Sequence, residues 1–245
     1  MSLSGPEFYD NDGVFDRYSA QRGDPETLNE TMEGPAVWDL VGDPAGLAVV
    51  DLGCGAAAFG RLLLGRGAAS YLGVEGSRNM AEAARRTLAG TDGEIICQPL
   101  EAWEPAAGAF DLAVSRLVFH YLADLPALLG RIWRGLRPGG RLVYSTQHPV
   151  LTAQAAGEGE GPSGSWVVDD YFAAGPRSVD WLGATVRIFH RTIEQHVAAL
   201  RGAGFALEDL REAAPRPELF ADPAELARRR RVPLFLVLAA RKPIA

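Results

Sequence analysis

The stretch from Leu47 to Gly60, Leu-Ala-Val-Val-Asp-Leu-Gly-Cys-Gly-Ala-Ala-Ala-Phe-Gly, constrains the fold of this chain more than any other. Leu47 to Leu52 is a short apolar, β-branched run of the kind that forms a parallel strand buried on both faces. Phe59 to Leu64 reads as the start of a helix, with Gly53 and Gly55 in the turn between. Glycines there let the backbone bend tightly and let a ligand approach, and the helix N-terminus offers unpaired N–H groups.

Such a turn serves a dinucleotide, a phosphate or S-adenosylmethionine. The nicotinamide fingerprint needs a third glycine at position 58, here Ala58, and has no use for the acid at Asp51. A carboxylate at that strand end suits a cationic amino-acid head group and repels a pyrophosphate. Asp51-Leu-Gly-Cys-Gly resembles motif I of the class I S-adenosylmethionine-dependent methyltransferases, with Ala57 where that family often has a further glycine. Cys54 reads as a small residue packed in the turn, and the resemblance counts Asp51, Gly53, Cys54 and Gly55 among the cofactor contacts.

The resemblance continues in order through residues 47 to 147. Ala69 to Glu75 reads as a second strand ending in an acid twenty residues after Gly55. Parallel strands joined by a right-handed helical crossover end side by side, which predicts Glu75 beside the glycine turn, where a carboxylate accepts both ribose hydroxyls. Glu75-Gly76-Ser77 matches the family at this point, and Met80 stands where relatives pack a side chain on adenine, although a core methionine explains it equally. After a third strand, Glu94 to Gln98, the acid many relatives carry is replaced by Gln98 and Pro99, which leaves Leu100 and Glu101 for adenine. Ala109 to Ser115 matches the family's fourth strand, with Ser115 at the cofactor. The loop Arg116 to Tyr121 follows, and its His120 reads either as a general base or as a packed histidine. Asp124 to Leu136 carries a helical apolar stripe, Pro138-Gly139-Gly140 is expected to terminate it, and Arg141 to Thr146 follows as strand five.

Before the motif, Gly5 to Gly23 reads as a short helix or arm, and Asp24-Pro25-Glu26 as the start of a helix reaching about Val41. In related methyltransferases this region folds over the cofactor, which implies Tyr18, Arg22 and Asn29 at the methionine carboxylate, or else packing within the arm. After strand five the alternation stops. Ala153 to Ser165 reads as a mobile loop, and Trp166, Tyr171, Phe172 and Trp181 follow as a burst of aromatics, an insertion of about 148–183 of the kind that forms substrate lids in this fold. Asp170-Tyr-Phe, Trp181-Leu-Gly and Phe189-His-Arg-Thr resemble a branch of the type 11 methyltransferases. His148, beside the lid, reads as a substrate contact or a loop cap, and His190 as a further catalytic candidate, while His196 reads as structural. Arg191 either pairs a substrate carboxylate or begins a helix. Ala184 to His190 alternates as a strand, Thr192 caps a helix through Ala203, and Gly204 to Leu210 is strand six. A Pro- and Glu-rich connector to about Arg231 leads to Pro233 to Ala240, which the family inserts antiparallel beside strand six.

The fold expected is α/β, a Rossmann-like seven-stranded mostly parallel sheet with helices on both faces and the last strand antiparallel. Residues 1–245 form one domain with an N-terminal helical arm, 1–42, and the lid. A net charge of −7 argues against a surface that tracks nucleic-acid phosphates. No apolar run reaches about 18 residues and the N-terminus lacks a basic start, so no membrane association and a cytoplasmic location are expected. Two cysteines without metal spacing predict neither a disulfide framework nor a metal, and Lys242, the only lysine, lies too near the C-terminus for Schiff-base chemistry. The function implied is S-adenosylmethionine-dependent methyl transfer to an O, N or C atom of a small metabolite, with Trp166, Tyr171, Trp181 and Arg191 around the acceptor. A catalytically silent S-adenosylmethionine-binding regulatory protein and a nicotinamide-dependent oxidoreductase are the alternatives.

Overall fold

Short runs of alternating apolar residues build a central sheet in the computed structural model, which describes residues 2–22, 27–153 and 166–244, with Arg22 by its backbone alone. The parallel strands are β1 (Ala48–Leu52), β2 (Ser70–Glu75), β3 (Gly93–Cys97), β4 (Phe110–Arg116) and β5 (Leu136–Gln147). A hairpin, β6 (Gly175–Trp181) and β7 (Ala184–His190), stands apart as a two-stranded sheet, and β8 (Ala206–Glu212) and β9 (Phe235–Arg241) complete the main one. The order is β3-β2-β1-β4-β5-β9-β8, and the last strand, β9, enters antiparallel between β5 and β8. This is the Rossmann-like arrangement expected.

Helices cover both faces because alternate strand residues are apolar on both. Val49, Val143 and Val237 point toward α3 (Gly34–Val41), α4 (Ala58–Gly65) and α5 (Arg78–Thr87), while Val50, Leu142 and Leu236 face α6 (Leu125–Gly135) and α8 (Ile193–Gly202). Side-chain caps begin three of these helices. Ser77 accepts from the Met80 N–H at 3.2 Å, Asp124 from Ala127 at 3.0 Å, and Thr192 and Gln195 form a reciprocal capping box.

The arm is α1 (Gly5–Tyr9) and α2 (Asp12–Arg22), and its Leu3 bridges to Val186 of β7, with Phe8, Val14, Val186 and Ile188 forming a small core of their own. The expected cap at Asp24-Pro25-Glu26 and the loop from 154 to 165 lie outside the described residues. What precedes α3 is a π-helical turn, Asn29–Glu33. Three expectations are corrected. Pro138-Gly139-Gly140 does not end α6, which stops at Gly135; it forms a bulge inside β5, where the partner of Phe110 is Leu136 but that of Leu112 is Arg141. The strand 184–190 has a partner, β6, which its aromatic and proline content concealed. The connector after β8 carries a helix, α9 (Pro223–Arg229), before β9, and a further short helix, α7 (Pro149–Thr152), follows β5.

Gly60, inside α4, has a packing reason. A β-carbon there would lie 2.1 Å from Cζ of Tyr71, so the ring of Tyr71 occupies the space that glycine leaves. Gly60→Ala is expected to lower the unfolding free energy by about 1–3 kcal/mol. Gly202→Ala in α8, where a β-carbon meets nothing within 4 Å, is expected to be neutral or slightly stabilising. Urea unfolding of the two variants beside the parent protein checks both.

Candidate active site

The carboxyl ends of β1 and β2 meet as their register demands, Leu52 opposite Val74, so the turn leaving β1 lies against Glu75. The Gly53 and Cys54 N–H groups donate to the Val74 carbonyl at 2.7 and 3.2 Å. Gly55 N–H then donates to Glu75 Oε2 and Ser77 N–H to Oε1, both at 2.8 Å, so each carboxylate oxygen is held by one backbone amide. Glu75 is 8% exposed, and burial raises its pKa against the lowering effect of these amides. Gly53 and Gly55 take φ of +74° and +55°, but for different neighbours. A β-carbon at Gly53 would strike Val118 at 2.4 Å, whereas at Gly55 it would meet nothing within 4 Å. Ala57 adopts the left-handed region too, at φ 56°, so the chain keeps the conformation for which the family often uses glycine.

A cavity of about 220 Å³ opens over this turn. Of the expected cofactor contacts, Tyr18, Gly53, Gly55, Glu75, Gly76, Met80, Leu100 and Glu101 line it, as does Asn29. The others do not. Ser115 donates to the Leu52 carbonyl at 2.7 Å, tying β4 to β1, and Ser77 donates to Asp10 while capping α5. Cys54 packs beneath the turn against Gly73 and its thiol pKa is pushed up by burial. Nothing is described of the Arg22 side chain.

Asp51 also lies outside the lining, 2% exposed, with its carboxylate accepting the Tyr71 hydroxyl at 2.8 Å. Burial pushes its pKa up to about 7, against the Tyr71 hydrogen bond and the Arg116 charge. Above it a buried ion pair lines the cavity. Arg116, at the end of β4, donates through Nε and Nη2 to Glu33 of the π-helical turn, and Ser145 donates to the same carboxylate. Gly34 leaves room for the pair, since a β-carbon there would lie 3.3 Å from Arg116 Nη2 and 2.9 Å from the Asn29 carbonyl.

The three candidate histidines separate. His120 lines the cavity at 3% exposure, its Nδ1 is 3.4 Å from Thr146 Oγ1, and its Nε2 is buried without a hydrogen-bond partner among the described residues. Burial, then the neighbouring His196 and Arg191, pull its pKa down to about 3. His148 is committed elsewhere. Its Nδ1 accepts from the Val150 N–H and its Nε2 donates to Glu212 at 2.9 Å, which is the loop-cap reading. His190 lies between the Thr152 hydroxyl and the Tyr171 carbonyl, at 2.6 and 2.8 Å, also outside the lining.

Among the expected acceptor contacts only Trp181 lines the cavity, stacked on Phe8 at 5.5 Å. Trp166 donates to the Val150 carbonyl, Tyr171 packs its ring against His190, and Arg191 donates to the carbonyls of Phe119, Leu122 and Ala123. Arg191 thus fastens the segment that bears His120 from behind and does not itself line the cavity. Sequence reasoning missed Tyr9, Tyr121, Glu33 and Arg116, all in the lining. Arg116 and Tyr121 bracket the loop already singled out around His120; the acid at Glu33 carried no motif.

The raised pKa of Asp51 has a stability consequence. Its folded-state pKa lies above the usual value near 4, so the folded protein is penalised as the group ionises: not below about pH 4, increasingly as pH rises, and fully above about 7. Asn in its place still accepts the Tyr71 hydroxyl. Asp51→Asn is expected to raise the melting temperature by several degrees at about pH 8, a gain that shrinks as pH falls toward about 5. Scanning fluorimetry across that range checks it.

A family model described as a methyltransferase domain matches residues 49–140. An uncharacterized protein of Haemophilus influenzae is 30% identical over 247 residues, covering 96% of each chain. A trans-aconitate 2-methyltransferase of Rhizobium leguminosarum is 39% identical over 101 residues, a span of 41% of this chain and 38% of that one. A solved S-adenosylmethionine-dependent methyltransferase from Mesorhizobium loti shares 34% identity and a TM-score of 0.79, covering 88% of this chain and 100% of that one. Likeness at that level over nearly the whole length, on one sheet topology and one glycine turn, means that this chain belongs to the class I S-adenosylmethionine-dependent methyltransferases.

Proposed function

We propose that the chain transfers the methyl group of S-adenosylmethionine to an O, N or C atom of a small metabolite within the cavity above the glycine turn. Glu75 carries this reading. Each of its oxygens accepts one backbone N–H, which fixes the carboxylate while leaving lone pairs for two ribose hydroxyls, and the residue lines the cavity. The open side of Gly55 admits close approach of a ligand to the backbone. Met80 and Leu100 offer apolar walls for a purine, with Glu101 beside them; Tyr18 and Asn29 line the same cavity, and Asp51 lies buried beneath the turn. The residues present therefore fit the cofactor.

When bound, the cofactor supplies an activated methyl carbon on a cationic sulfur. The chain aligns and dries the site. Tyr9 and Tyr18 of the arm and Trp181 of the hairpin line the cavity and pack on one another, so the arm and the β6–β7 hairpin act together as a lid on a single domain, with Trp166 and Tyr171 shaping that lid from outside the lining. His120 and Arg116 are among the polar side chains of the lining that remain for the acceptor. A small acceptor is supported by the relative named for trans-aconitate.

Calorimetric titration with S-adenosylmethionine tests the pocket. Glu75→Gln is expected to weaken binding about 10²-fold, the value of two charge-assisted hydrogen bonds; undiminished affinity would overturn the assignment.

A further inference from the structure

The acceptor end of the cavity is rich in donors and poor in bases. Four described lining residues could take a proton as carboxylate or imidazole: Glu33, Glu75, Glu101 and His120. Glu33 is fully buried under Arg116 and the Ser145 hydroxyl. Glu75 belongs to the ribose in the reading above. Glu101 follows β3, on the far side of β2 and β1 from His120, which follows β4. Tyr9 and Tyr121 keep their protons, since burial raises both hydroxyls, Tyr121 to about 12.

His120 remains, and its hydrogen bonding makes it a donor. Thr146 is 1% exposed, and its hydroxyl has His120 Nδ1 as its one side-chain partner among the described residues. If Nδ1 carried the proton, the threonine hydrogen would be buried without an acceptor, at a cost of about 1–3 kcal/mol. The tautomer that leaves fewer groups unmet has Thr146 donating to Nδ1 and the proton on Nε2, a buried ring atom with no partner among the described residues, on a side chain that lines the cavity. A second proton on the ring would place a cation in a dry site near Arg191, in keeping with the lowered pKa. Arg116 lines the same cavity, and its Nη1 takes no protein acceptor among the described residues, Nε and Nη2 being engaged with Glu33 and the Asn29 carbonyl.

From this arrangement we infer that the acceptor atom is a carboxylate oxygen, received by Nε2–H of His120 and the Arg116 guanidinium, and that the product is a methyl ester. The inference rests on the reading of the cavity as a methyl-transfer site. Alcohols, phenols and acidic carbons must lose a proton, and the wall holds no free base for it. An amine would bring N–H groups to His120 Nε2–H and Arg116 Nη1, which offer donors and no acceptor. A carboxylate arrives ionised: one of its lone pairs forms the O–CH₃ bond, the C–S bond breaks with its pair passing to sulfur, and no proton is released. The negative acceptor and positive sulfonium neutralise each other, which a water-poor cavity favours.

The test uses the full chain at saturating S-adenosylmethionine with short aliphatic and aromatic carboxylic acids beside the matching alcohols, phenols and amines. S-adenosylhomocysteine release and methyl-ester mass are read. Turnover is expected for acids alone, with no tenfold-per-unit rise of kcat between about pH 6 and 9 because the acceptor needs no base. His120→Phe should lose about 10²-fold in kcat/KM at unchanged cofactor affinity, and His120→Gln, which restores an N–H, should recover to within about tenfold of the parent. Inert acids, a rate that climbs tenfold per pH unit, or a fully active His120→Phe would each overturn the inference. Failure of the cofactor to bind, read separately by calorimetry, would instead overturn the pocket itself.

Discussion

A single carboxylate holds the site together. Glu75 accepts from Gly55 on one oxygen and from Ser77 on the other, so the end of β2, the turn after β1 and the start of α5 are bound through one side chain. Burying a charge is costly unless its lone pairs are met, and two backbone amides are the partners that make it tolerable. Without this clamp the glycine turn would be anchored only through the Val74 carbonyl. The cavity floor has the shape it does because an acid at a strand tip needs donors and the turn has donors to spare.

A second layer supports the first. Gly60 gives Tyr71 room, Tyr71 reaches Asp51, and the Glu33–Arg116 pair closes over it, linking the π-helical turn to the tip of β4. Buried ion pairs contribute little net stability, because desolvation offsets their attraction, but they fix geometry. Here the geometry fixed is the entry of the N-terminal segment onto the sheet. Arg191 does the same for the His120 segment by gathering three backbone carbonyls.

The core of this architecture was legible because it is local. An apolar run, a Gly-x-Gly turn and an acid one crossover later place β1, β2 and Glu75 by spacing alone, and the apolar run Phe235 to Ala240 of β9 announces a buried strand. What was not legible depends on distant partners. Glu33 looks like any surface acid until Arg116 arrives from 83 residues away. His148 and His190 lie in the right region of the chain, but whether their ring nitrogens face a ligand or a neighbouring residue is decided by Glu212, Thr152 and the Tyr171 backbone. The bulge in β5 was mistaken for a helix stop because Pro-Gly-Gly suits either, and the choice is made by Lys242, whose N–H and carbonyl pair with Gly140 and Gly139.

The arm and the hairpin form one body. Leu3 hydrogen-bonds along β7, and Phe8, Val14, Val186 and Ile188 share a core that owes nothing to the main sheet. Because Tyr9, Tyr18 and Trp181 of that body all line the cavity, any displacement of it from the strand tips would move three walls at once. Retention of a spent guest would then depend on how firmly that body is held down, Asp10 on Ser77 and Asn79 being one of the ties.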